Sequence, residues 1–542
     1  MVSGAASSVA VIGAGPGGLA SAMLLAASGV RVTVYEAGPS VGGRTSRVTL
    51  RSGAGEFGVD RGPTFFLMPY VLEEIFAATG RRLSDYADLR RLDPMYRLLV
   101  GRPGQGPLTI DATQDVSEMS RRLAAIEPAD GAAFARFIAD NRTKLRLMEP
   151  ILRSSIRSPL DLLSAGTMKM LPHLNPHLTV AQLLKKYFKN PYVRLAVSFQ
   201  SKYLGMSPMD CPSLFTILPF IEYEYGVWHP IGGCAGLMEA MAAACREMGV
   251  EIRCSSRVSG LEFDADRVTG VRLEGRAEVH EHDQVLVNAD ATWALKAWVP
   301  AHLRPSADSD TRIDARRYSC STYMLYLGIQ GEVDLPHHTI FVSSKYEENL
   351  ADITSNGTLS EDPSVYACNA TPIDPTLAPA GHSSLYVLMP TPNTRASGEK
   401  IDWDPSTAEG RRIRQSVLEQ LENRLGISNI ERRIRAEHVT TPADWRAGAD
   451  GIGPINHGAT FNMAHNLGQM LHKRVQHEYP SVKGLYFCGG GTHPGSGLPV
   501  IFLSSQIVAR IMCGKLGVAY AGDRGPVIRE KAADLIGASA AG

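Results

Sequence analysis

The stretch SVAVIGAGPGGLASAMLLAASGVRVTVYE, which runs from Ser8 to Glu36, decides the fold of this chain. Its first five residues are apolar and predict a strand, the Ala/Leu-rich segment from Leu19 to Ser28 predicts a helix, and the alternating residues from Val30 onwards predict a second strand. A cluster of glycines occupies the turn between strand and helix, and an acidic residue ends the second strand. Together these features are the complete strand–helix–strand context of a dinucleotide-binding fold.

Each position in this motif has a physical task. Gly13 permits the tight turn, Gly15 lets the backbone approach a pyrophosphate, and Gly18 lets the helix pack closely on the strand. The free N–H groups where the helix begins, near Gly17, favour a phosphate anion, and Glu36 can accept hydrogen bonds from a ribose. The alternative is a glycine-rich turn in an ordinary strand–helix–strand unit, but strand, helix, second strand and acid are all in register here.

The composition is that of a globular protein with several domains. The 542 residues are 44% hydrophobic and 20% charged, and 55 Lys+Arg balance 55 Asp+Glu; this argues against a nucleic-acid-binding protein, which would carry a basic excess. The eight cysteines are scattered without a CxxC pair, and no His/Cys spacing is typical of metal ligands. Such cysteines are typical of cytosolic thiols, so we predict a cytoplasmic protein without a metal site.

Two segments bear on membrane association. Val9–Val30 carries no charge and is long enough to cross a bilayer, but its glycines fit the nucleotide fold better, and no other run has such length. Residues 113–225 look mainly helical, and their Asn141–Leu178 part mixes basic residues with leucines and methionines, which indicates a helical lid that contacts an anionic membrane or, alternatively, a solvated helix face. The basic residues there are Arg142, Lys144, Arg146, Arg153, Arg157 and Lys169, against Glu149 and Asp161.

With these pieces in order, the chain resembles the bacterial-type phytoene desaturase (carotenoid desaturase) family of the flavin-containing amine oxidoreductase superfamily. Two stretches depart from the family's pattern: Val500-Ile-Phe-Leu follows the last glycine loop where close relatives often have a further glycine, and Met470-Leu-His-Lys473-Arg474-Val replaces an aromatic-Arg-Pro stretch. These departures leave substrate details open. The resemblance is carried by Val11–Arg44, Asp60–Thr64, Gly226–Gly233 with Asn288–Asp290, and Gly490–Pro499.

The resemblance implies an α/β fold: a Rossmann-like dinucleotide domain that binds FAD, a mixed-sheet substrate domain, and a helical lid or membrane-binding region. Predicted strands between 249 and 290, and a predicted strand, glycine loop and helix between 484 and 516, return the chain to the nucleotide domain. The expected division is FAD-binding parts at 1–112, 226–300 and 446–520, a helical region at 113–225, a substrate-domain sheet at 301–445 with a helix near 405–425, and a tail at 521–542.

The resemblance also assigns cofactor contacts beyond the first motif. A glycine and an arginine after the second strand lie against the pyrophosphate, where a guanidinium offers several donors and a permanent charge. The Asp60–Thr64 segment passes close to the flavin ring, Val258 offers its backbone to the adenine, and the last helix start faces the flavin's pyrimidine carbonyl. Val258 has the alternative of a plain strand valine, and Arg44 that of a solvated turn residue. The residues implied are Gly43, Arg44, Gly62, Pro63, Thr64, Val258, Gly490, Gly491, Pro499 and Val500.

The activity implied is FAD-dependent desaturation of a long isoprenoid such as phytoene or a C30 analogue. A flavin can take a hydride at N5 while a proton leaves the adjacent carbon, and the protein aligns the chain in a long apolar tunnel. Membrane lipid would be a peripheral partner, and quinone or oxygen would accept the electrons. Related members saturate or isomerise polyenes or oxidise terminal methyl groups. An amine oxidase with an aromatic cage and a non-enzymatic prenyl-binding module are further alternatives.

The proton acceptor is not readable from the sequence alone. Glu222, Glu224, Tyr225 and His493 are candidates because they flank segments expected near the flavin. Each has a structural alternative: two glutamates separated by one residue are often solvated, and a histidine before Pro-Gly can simply cap a loop. Geometry must come before pKa in choosing among them.

Overall fold

The computed structural model describes residues 7–163 and 174–524. Two sheets organise the chain: a five-stranded parallel sheet and a seven-stranded mixed sheet, with smaller ribbons beside them. The strands are β1 (Ser8–Ile12), β2 (Arg31–Tyr35), β3 (Arg47–Ser52), β4 (Gly55–Asp60), β5 (Leu89–Arg91), β6 (Tyr96–Arg102), β7 (Gln105–Ala112), β8 (Trp228–Pro230), β9 (Glu251–Arg253), β10 (Val258–Asp264), β11 (Arg267–Leu273), β12 (Val279–Glu281), β13 (Gln284–Val287), β14 (Ser321–Gln330), β15 (His338–Val342), β16 (Val365–Asn369), β17 (His382–Thr391), β18 (Ile434–Thr440) and β19 (Leu485–Phe487).

The helices lie mainly in two places: behind the parallel sheet and in the region between residues 113 and 225, as the sequence predicted. Short 3-10 turns connect several of them. The α-helices of the described residues are α1 (Pro16–Ala27), α2 (Pro69–Ala78), α3 (Val116–Ile126), α4 (Pro128–Leu152), α5 (Val180–Leu184), α6 (Pro191–Ala196), α7 (Ile217–Tyr225), α8 (Gly233–Glu247), α9 (Ala291–Trp298), α10 (Asp310–Ala315), α11 (Tyr346–Ala351), α12 (Thr394–Ser397), α13 (Ala408–Asn423), α14 (Ile430–Arg433), α15 (Pro442–Ala447) and α16 (Leu498–Leu516).

The parallel sheet has the strand order β19-β13-β1-β2-β9. Strand β1 lies at its centre, pairs in parallel with β2 and β13, and is buried along its whole length, which explains why its sequence is continuously apolar rather than alternating. Helix α1 begins at Pro16, earlier than the predicted Leu19, because proline is well suited to the first helical position. The glycine turn therefore stands at the carboxyl end of the central strand, where open α/β sheets bind their ligands.

Helix α16 completes this domain from the far end of the chain. The sequence predicted a helix here, and the structure confirms it. The helix is also long and apolar enough, by length and composition alone, to cross a membrane, which the sequence analysis did not note because the segment carries Arg510 and Lys515. In the structure 56% of its apolar window is buried inside the protein. It packs on α1, where the Ser505 hydroxyl donates a hydrogen bond to the Gly17 carbonyl at 2.9 Å, so it is explained as a core helix.

The seven-stranded sheet has the order β18-β14-β17-β16-β15-β6-β7. Its β6 and β7 come from residues 96–112, because β6 pairs in parallel with β15. The first FAD-binding part therefore ends before Tyr96, not at residue 112 as expected. One face of the sheet packs against α13 through residues such as Leu325 and Val417. The other face, with Leu98 and Val342, joins a core shared with helices α4 and α7.

Four of the five basic residues that the structure describes in the 141–178 region are buried or paired, a feature that the sequence did not predict. Lys144 is buried and donates a hydrogen bond to Thr216 at 2.8 Å. The three paired arginines form ion pairs because the fold brings acidic residues from other segments against them. Arg146 is exposed, and Lys169 lies outside the described residues. The pairs are Arg142 with Glu224 at 2.6 Å, Arg153 with Glu74 at 2.8 Å, and Arg157 with Glu478 at 2.8 Å.

Candidate active site

The first glycine motif forms a tight cradle at the end of β1. A Cβ placed on Gly18 would lie 2.0 Å from the Gly13 carbonyl oxygen, so only glycine lets α1 approach the strand this closely. Gly13 itself has a φ of 96°, a backbone conformation that favours glycine. No side chain caps the start of α1, which leaves its first N–H groups available to a phosphate.

Asn288 is a site residue that the sequence analysis did not choose, although it quoted it within the resemblance. It follows β13, donates a hydrogen bond from Nδ2 to the Gly13 carbonyl at 3.2 Å, and its side chain faces Gly15, Gly17 and Gly489. One amide thus ties the first and last glycine segments together. A polar residue at the end of a strand paired with β1 was the signal that could have identified it.

Glu36 lies directly after β2 and is buried. Its carboxylate accepts backbone hydrogen bonds from Ala14 at 2.7 Å and from Gly38 at 2.8 Å. Burial raises the pKa of Glu36, while these two N–H groups and the positive charge of Arg257 lower it. A carboxylate has about four lone-pair positions, so Glu36 can hold the turn and still accept hydrogen bonds from two ribose hydroxyls.

The second and third predicted segments meet at Arg44. A Cβ on Gly62 would lie 2.4 Å from the Arg44 carbonyl oxygen, so glycine is required for the Asp60–Thr64 segment to lie against the Gly42-Gly43-Arg44 turn. The Arg44 guanidinium donates to the Thr460 carbonyl at 2.7 Å and reaches Asn462 Oδ1 at 3.5 Å. Burial lowers the pKa of Arg44, yet arginine remains charged, which suits an anion.

The last glycine loop reaches the same place from the C-terminal side. Buried Arg474 donates to the Gly490 carbonyl at 3.0 Å and so holds the loop, although its surrounding stretch departs from the family's pattern. Helix α16 then begins at Leu498 with Pro499 and Val500 in its first turn and no side-chain cap. A second helix start, uncapped like that of α1, therefore offers N–H groups and a partial positive charge.

These residues fit a flavin adenine dinucleotide. The glycine cradle and α1 suit its pyrophosphate, Glu36 suits its ribose, and the open start of α16 suits the carbonyl that gains negative charge on reduction. Gly43 lies beside the cradle, since a Cβ there would be 3.7 Å from Gly15 Cα, whereas Gly491 packs against Ala291. Val258 opens β10 and is buried; its contact with an adenine stays a prediction.

An aromatic and imidazole cluster lies next to the Asp60–Thr64 segment. The Tyr366 hydroxyl is 2.5 Å from Thr64 Oγ1 and 2.8 Å from His338 Nδ1. The Phe65 ring stacks on the His338 ring with a centroid distance of 3.9 Å, and it also contacts Tyr96 at 6.2 Å. The sequence analysis missed His338 and Tyr366, because β15 and β16 bring them to this face and no local spacing marks them.

Of the four proton-acceptor candidates, Glu222 comes closest to this cluster. It is completely buried, and its Oε2 accepts hydrogen bonds from Tyr96 at 3.1 Å and from Gln200 at 2.9 Å. Tyr96 belongs to β6 and touches Phe65, so the carboxylate lies where α7 meets the substrate-facing side of the sheet. The Tyr96 side chain therefore lies between Glu222 and Phe65, the residue that follows the Asp60–Thr64 segment.

The other three candidates are engaged in contacts within the helical region. Glu224 forms the ion pair with Arg142, and the Tyr225 ring packs on Tyr70 with a centroid distance of 5.1 Å. Burial raises the pKa of Tyr225. The His493 Nε2–H donates to the Ile151 carbonyl at 2.8 Å, and burial lowers its pKa to about 4. The structure thus gives Glu224 and His493 anchoring contacts and does not bring them to Phe65.

The sequence profile of the flavin containing amine oxidoreductases matches residues 16–513. The chain is 38% identical to a 4,4'-diapophytoene desaturase (4,4'-diapolycopene-forming) of Methylomonas sp, over 94% of this chain and 96% of the relative. It is 36% identical to an all-trans-zeta-carotene desaturase of Myxococcus xanthus, over 94% of both chains. Among solved structures, cyclohexylamine oxidase from Brevibacterium oxydans is similar with a TM-score of 0.55 and 17% identity, over 95% of this chain and 100% of that one. That last likeness concerns the fold alone.

Proposed function

The chain belongs to the flavin-containing amine oxidoreductase family, and from this membership and the site we propose that it is an FAD-dependent desaturase of a long isoprenoid carotenoid precursor. The observation that carries the proposal is the similarity to two carotenoid desaturases, at 38% and 36% identity over 94% of this chain. The enzyme acts on CH–CH groups. Carbon number and the count of new double bonds are for product analysis to decide.

The substrate face supports a hydrocarbon ligand. Leu98 and Val100 of β6 and Ile340 and Val342 of β15 point to the side of the sheet that meets α4 and α7. A hydrocarbon offers no charge for recognition, so shape and apolar contact must select it, with weak discrimination per methylene. These side chains are buried against the helices, so a bound polyene would lie along the apolar interface between the sheet and the helical region.

When bound, the flavin would act as the acceptor of a hydride from an allylic C–H. The residues of this chain must then orient the polyene, exclude water and take the proton. We assign the proton to the Glu222 carboxylate, because it is buried and lies beside Tyr96, whereas Glu224 is committed to Arg142. Gln200 and Tyr96 hold this carboxylate in place by hydrogen bonds.

The amine oxidase alternative requires two aromatic rings with a slot between them. The substrate sheet does bring Tyr366 and Tyr386 together, a pair that the sequence analysis did not see. Their centroids are 5.5 Å apart with an interplanar angle of 59°, so the rings touch each other and leave no space for an amine between them. This geometry favours the desaturase over the amine oxidase.

The decisive experiment expresses the chain in cells that make phytoene or its C30 analogue and identifies the polyenes produced. We expect new conjugated double bonds, seen as a red shift of the extracted pigment. The matched control is the Gly15→Val variant, expressed at the same level. Unchanged precursor in both cultures, or reduction of the purified flavoprotein by amines and not by polyenes, would contradict the proposal.

We further propose that the protein attaches peripherally to a membrane on the cytoplasmic side, since its substrate would dissolve in lipid. Because Arg142, Arg153 and Arg157 are paired with acids of the protein, we expect apolar insertion, rather than attraction to anionic lipid, to hold the protein on the membrane. Leu160 and Leu163, in the short turn that follows α4, are 73% and 70% exposed. Two exposed leucines this close together suit a shallow contact with acyl chains.

Liposome flotation tests this contact. We expect wild-type protein to float with vesicles, and we expect added salt to leave flotation unchanged. Salt screens attractions between exposed charges, whereas apolar insertion of leucines does not depend on charge. The double variant Leu160→Asp, Leu163→Asp should remain in the soluble fraction with its FAD retained. A matched control is Leu467→Asp, a 54% exposed leucine elsewhere. Equal flotation of all three proteins would exclude Leu160 and Leu163 as the contact.

Quinone or oxygen is the proposed electron acceptor. A membrane quinone would share the lipid phase with the polyene, which favours it for a peripheral enzyme. Turnover under nitrogen with and without added quinone distinguishes the two acceptors. Turnover that stops without oxygen, even with quinone present, would assign the role to oxygen.

A further inference from the structure

Three potential metal ligands lie together on the substrate sheet, outside the residues that the cofactor and the proton acceptor require. They are His337, His338 and Cys368, all buried, and their ligand atoms lie within 4.8 Å of one another. Strand pairing creates the group, because His338 of β15 is directly opposite Cys368 of β16 in the antiparallel register. Side chains opposite each other on one face of a sheet are neighbours.

The imidazole nitrogens of this group are short of partners. Both nitrogens of His337 and the Nε2 of His338 are buried without a hydrogen-bond partner among the residues that the structure describes. Buried polar atoms are normally paired. Three such atoms beside a thiol therefore form a set of nitrogen and sulfur donors that a metal ion could bind.

We propose that His337, His338 and Cys368 bind a divalent cation of the Zn²⁺ class. Two imidazoles and one thiolate are donors that suit Zn²⁺, with bond lengths of about 2.0–2.3 Å, and a water molecule would complete a tetrahedral set. Ligand atoms around such an ion lie about 3.5 Å apart, so side chains whose ligand atoms lie within 4.8 Å of one another need only a small adjustment to bind it.

The protonation states agree with this assignment. Burial lowers the pKa of His337 to about 3 and that of His338 well below its usual value, so both rings are neutral and can donate a lone pair at neutral pH. Burial raises the pKa of the Cys368 thiol, and a hydrogen bond with Tyr366 lowers it in part. The thiol is therefore protonated before binding. Formation of the metal–sulfur bond must release this proton, one for each ion bound.

Neighbouring groups supply the outer contacts of the site. The Tyr366 hydroxyl, 2.8 Å from His338 Nδ1, can accept that N–H and fix the ring so that Nε2 faces the ion. On the other side, the His229 ring lies 4.6 Å from His337 and its Nε2 is 3.1 Å from Asp374. Tyr366 also contacts Thr64, so the ion would brace the substrate sheet against the Asp60–Thr64 segment.

Cobalt substitution tests the proposal on the purified FAD-loaded protein. After dialysis against a chelator, Co²⁺ is added and the visible spectrum is recorded to the red of the flavin absorption, where tetrahedral Co²⁺ absorbs. We expect one Co²⁺ per chain, release of one proton for each ion, and displacement by Zn²⁺. A wild-type protein that retains FAD and binds no Co²⁺ or Zn²⁺ overturns the proposal.

Variants identify the ligands. Cys368→Ser and His338→Gln should each weaken binding by at least about tenfold. The matched controls Cys211→Ser, a buried thiol outside the group, and His382→Gln, a histidine of the same sheet, should bind as wild type does. Equal affinity in all four variants overturns the assignment. If His338→Gln loses FAD, loss of the thiolate–cobalt charge-transfer band in Cys368→Ser decides. If Cys368→Ser loses FAD, the weaker cobalt affinity of His338→Gln decides. Metal content is measured without turnover, so this result stands apart from the identity of the substrate.

Discussion

The cofactor half and the substrate half of this molecule assemble their chemistry in different ways. The cofactor half takes its Gly13–Gly18 turn and its Glu36 from one continuous stretch that forms the adjacent strands β1 and β2. The substrate half brings Phe65, His338 and Tyr366 together from three distant segments by strand pairing. The difference teaches that a motif can mark a site only where the fold leaves the site's residues close in the chain.

The largest effect should come from Gly15→Val in the cofactor half. A Cβ at this position already lies 3.2 Å from Asn288 Nδ2 and faces the open cradle, so a branched side chain occupies the pyrophosphate's place. We expect purified protein with no measurable flavin absorption. Gly260→Val is the matched control, since a Cβ there meets no atom within 4 Å. A yellow Gly15→Val protein with full flavin content would show that the Gly13–Gly18 turn does not bind the pyrophosphate.

The next effect concerns two neighbouring glutamates with different surroundings. Glu222→Gln keeps the side-chain shape and removes the buried base, so flavin reduction by polyene should slow by about 10²–10⁴-fold. Glu224→Gln removes a half-exposed ion pair and should cost at most about 1 kcal/mol of stability, with the reduction rate unchanged. Anaerobic stopped-flow absorbance measures the rate. Equal rates for Glu222→Gln and wild type, with FAD retained, would remove Glu222 as the base.

A pH titration should show that His493 anchors the structure. Its folded pKa is about 4 against 6.5 when unfolded, so the unfolded state binds the extra proton between these values. The contribution of neutral His493 to the free energy of unfolding is fully present above pH 6.5. It is lost as the pH drops toward 4, which lowers the free energy of unfolding by roughly 3 kcal/mol. Denaturant unfolding at several pH values should show a shallower fall for His493→Gln. Exposed His302→Gln serves as the control, and parallel curves for all three proteins would contradict this role.

The smallest of these effects should be that of Glu36→Ala. Loss of a charged hydrogen-bond acceptor costs about 1.5–3 kcal/mol, so FAD should bind about ten- to a hundredfold more weakly without being lost at high concentration. Flavin titration of stripped protein, followed by fluorescence, measures the affinity. Glu56→Ala changes an exposed acid and provides the control. An unchanged FAD affinity would show that Glu36 holds only the backbone turn.

Sequence reasoning predicted the first strand and helix of the nucleotide half closely, while the cofactor contacts of its residues stay predictions. The strand from Ser8 to Ile12 is confirmed, and α1 begins three residues before the predicted Leu19. In the substrate half, the helix predicted near 405–425 is confirmed. The family and its FAD requirement are confirmed by the whole-chain match. Periodic apolar patterns and glycine turns are local properties, which explains why the sequence predicts them well.

The substrate half could not be predicted in this way. Nothing near Tyr96 reveals that β6 pairs with β15, and nothing near Cys368 reveals that it faces His338. The ion pairs of Arg153 with Glu74 and of Arg157 with Glu478 could not be foreseen for the same reason, because both acids come from other segments. Register and tertiary pairing decide these contacts, and a single sequence does not display them.

Helix α16 has a consequence for the order of events during synthesis. The ribosome makes the Gly13 turn at the outset, but β19 and α16, which complete the parallel sheet and close the site against α1, emerge only near residue 516. At about 5–20 residues per second, the nascent chain waits on the order of a minute for them. FAD capture therefore has to wait until α16 has been synthesised and packs on α1, so a bound cofactor would report that both distant parts of the site have been made and joined.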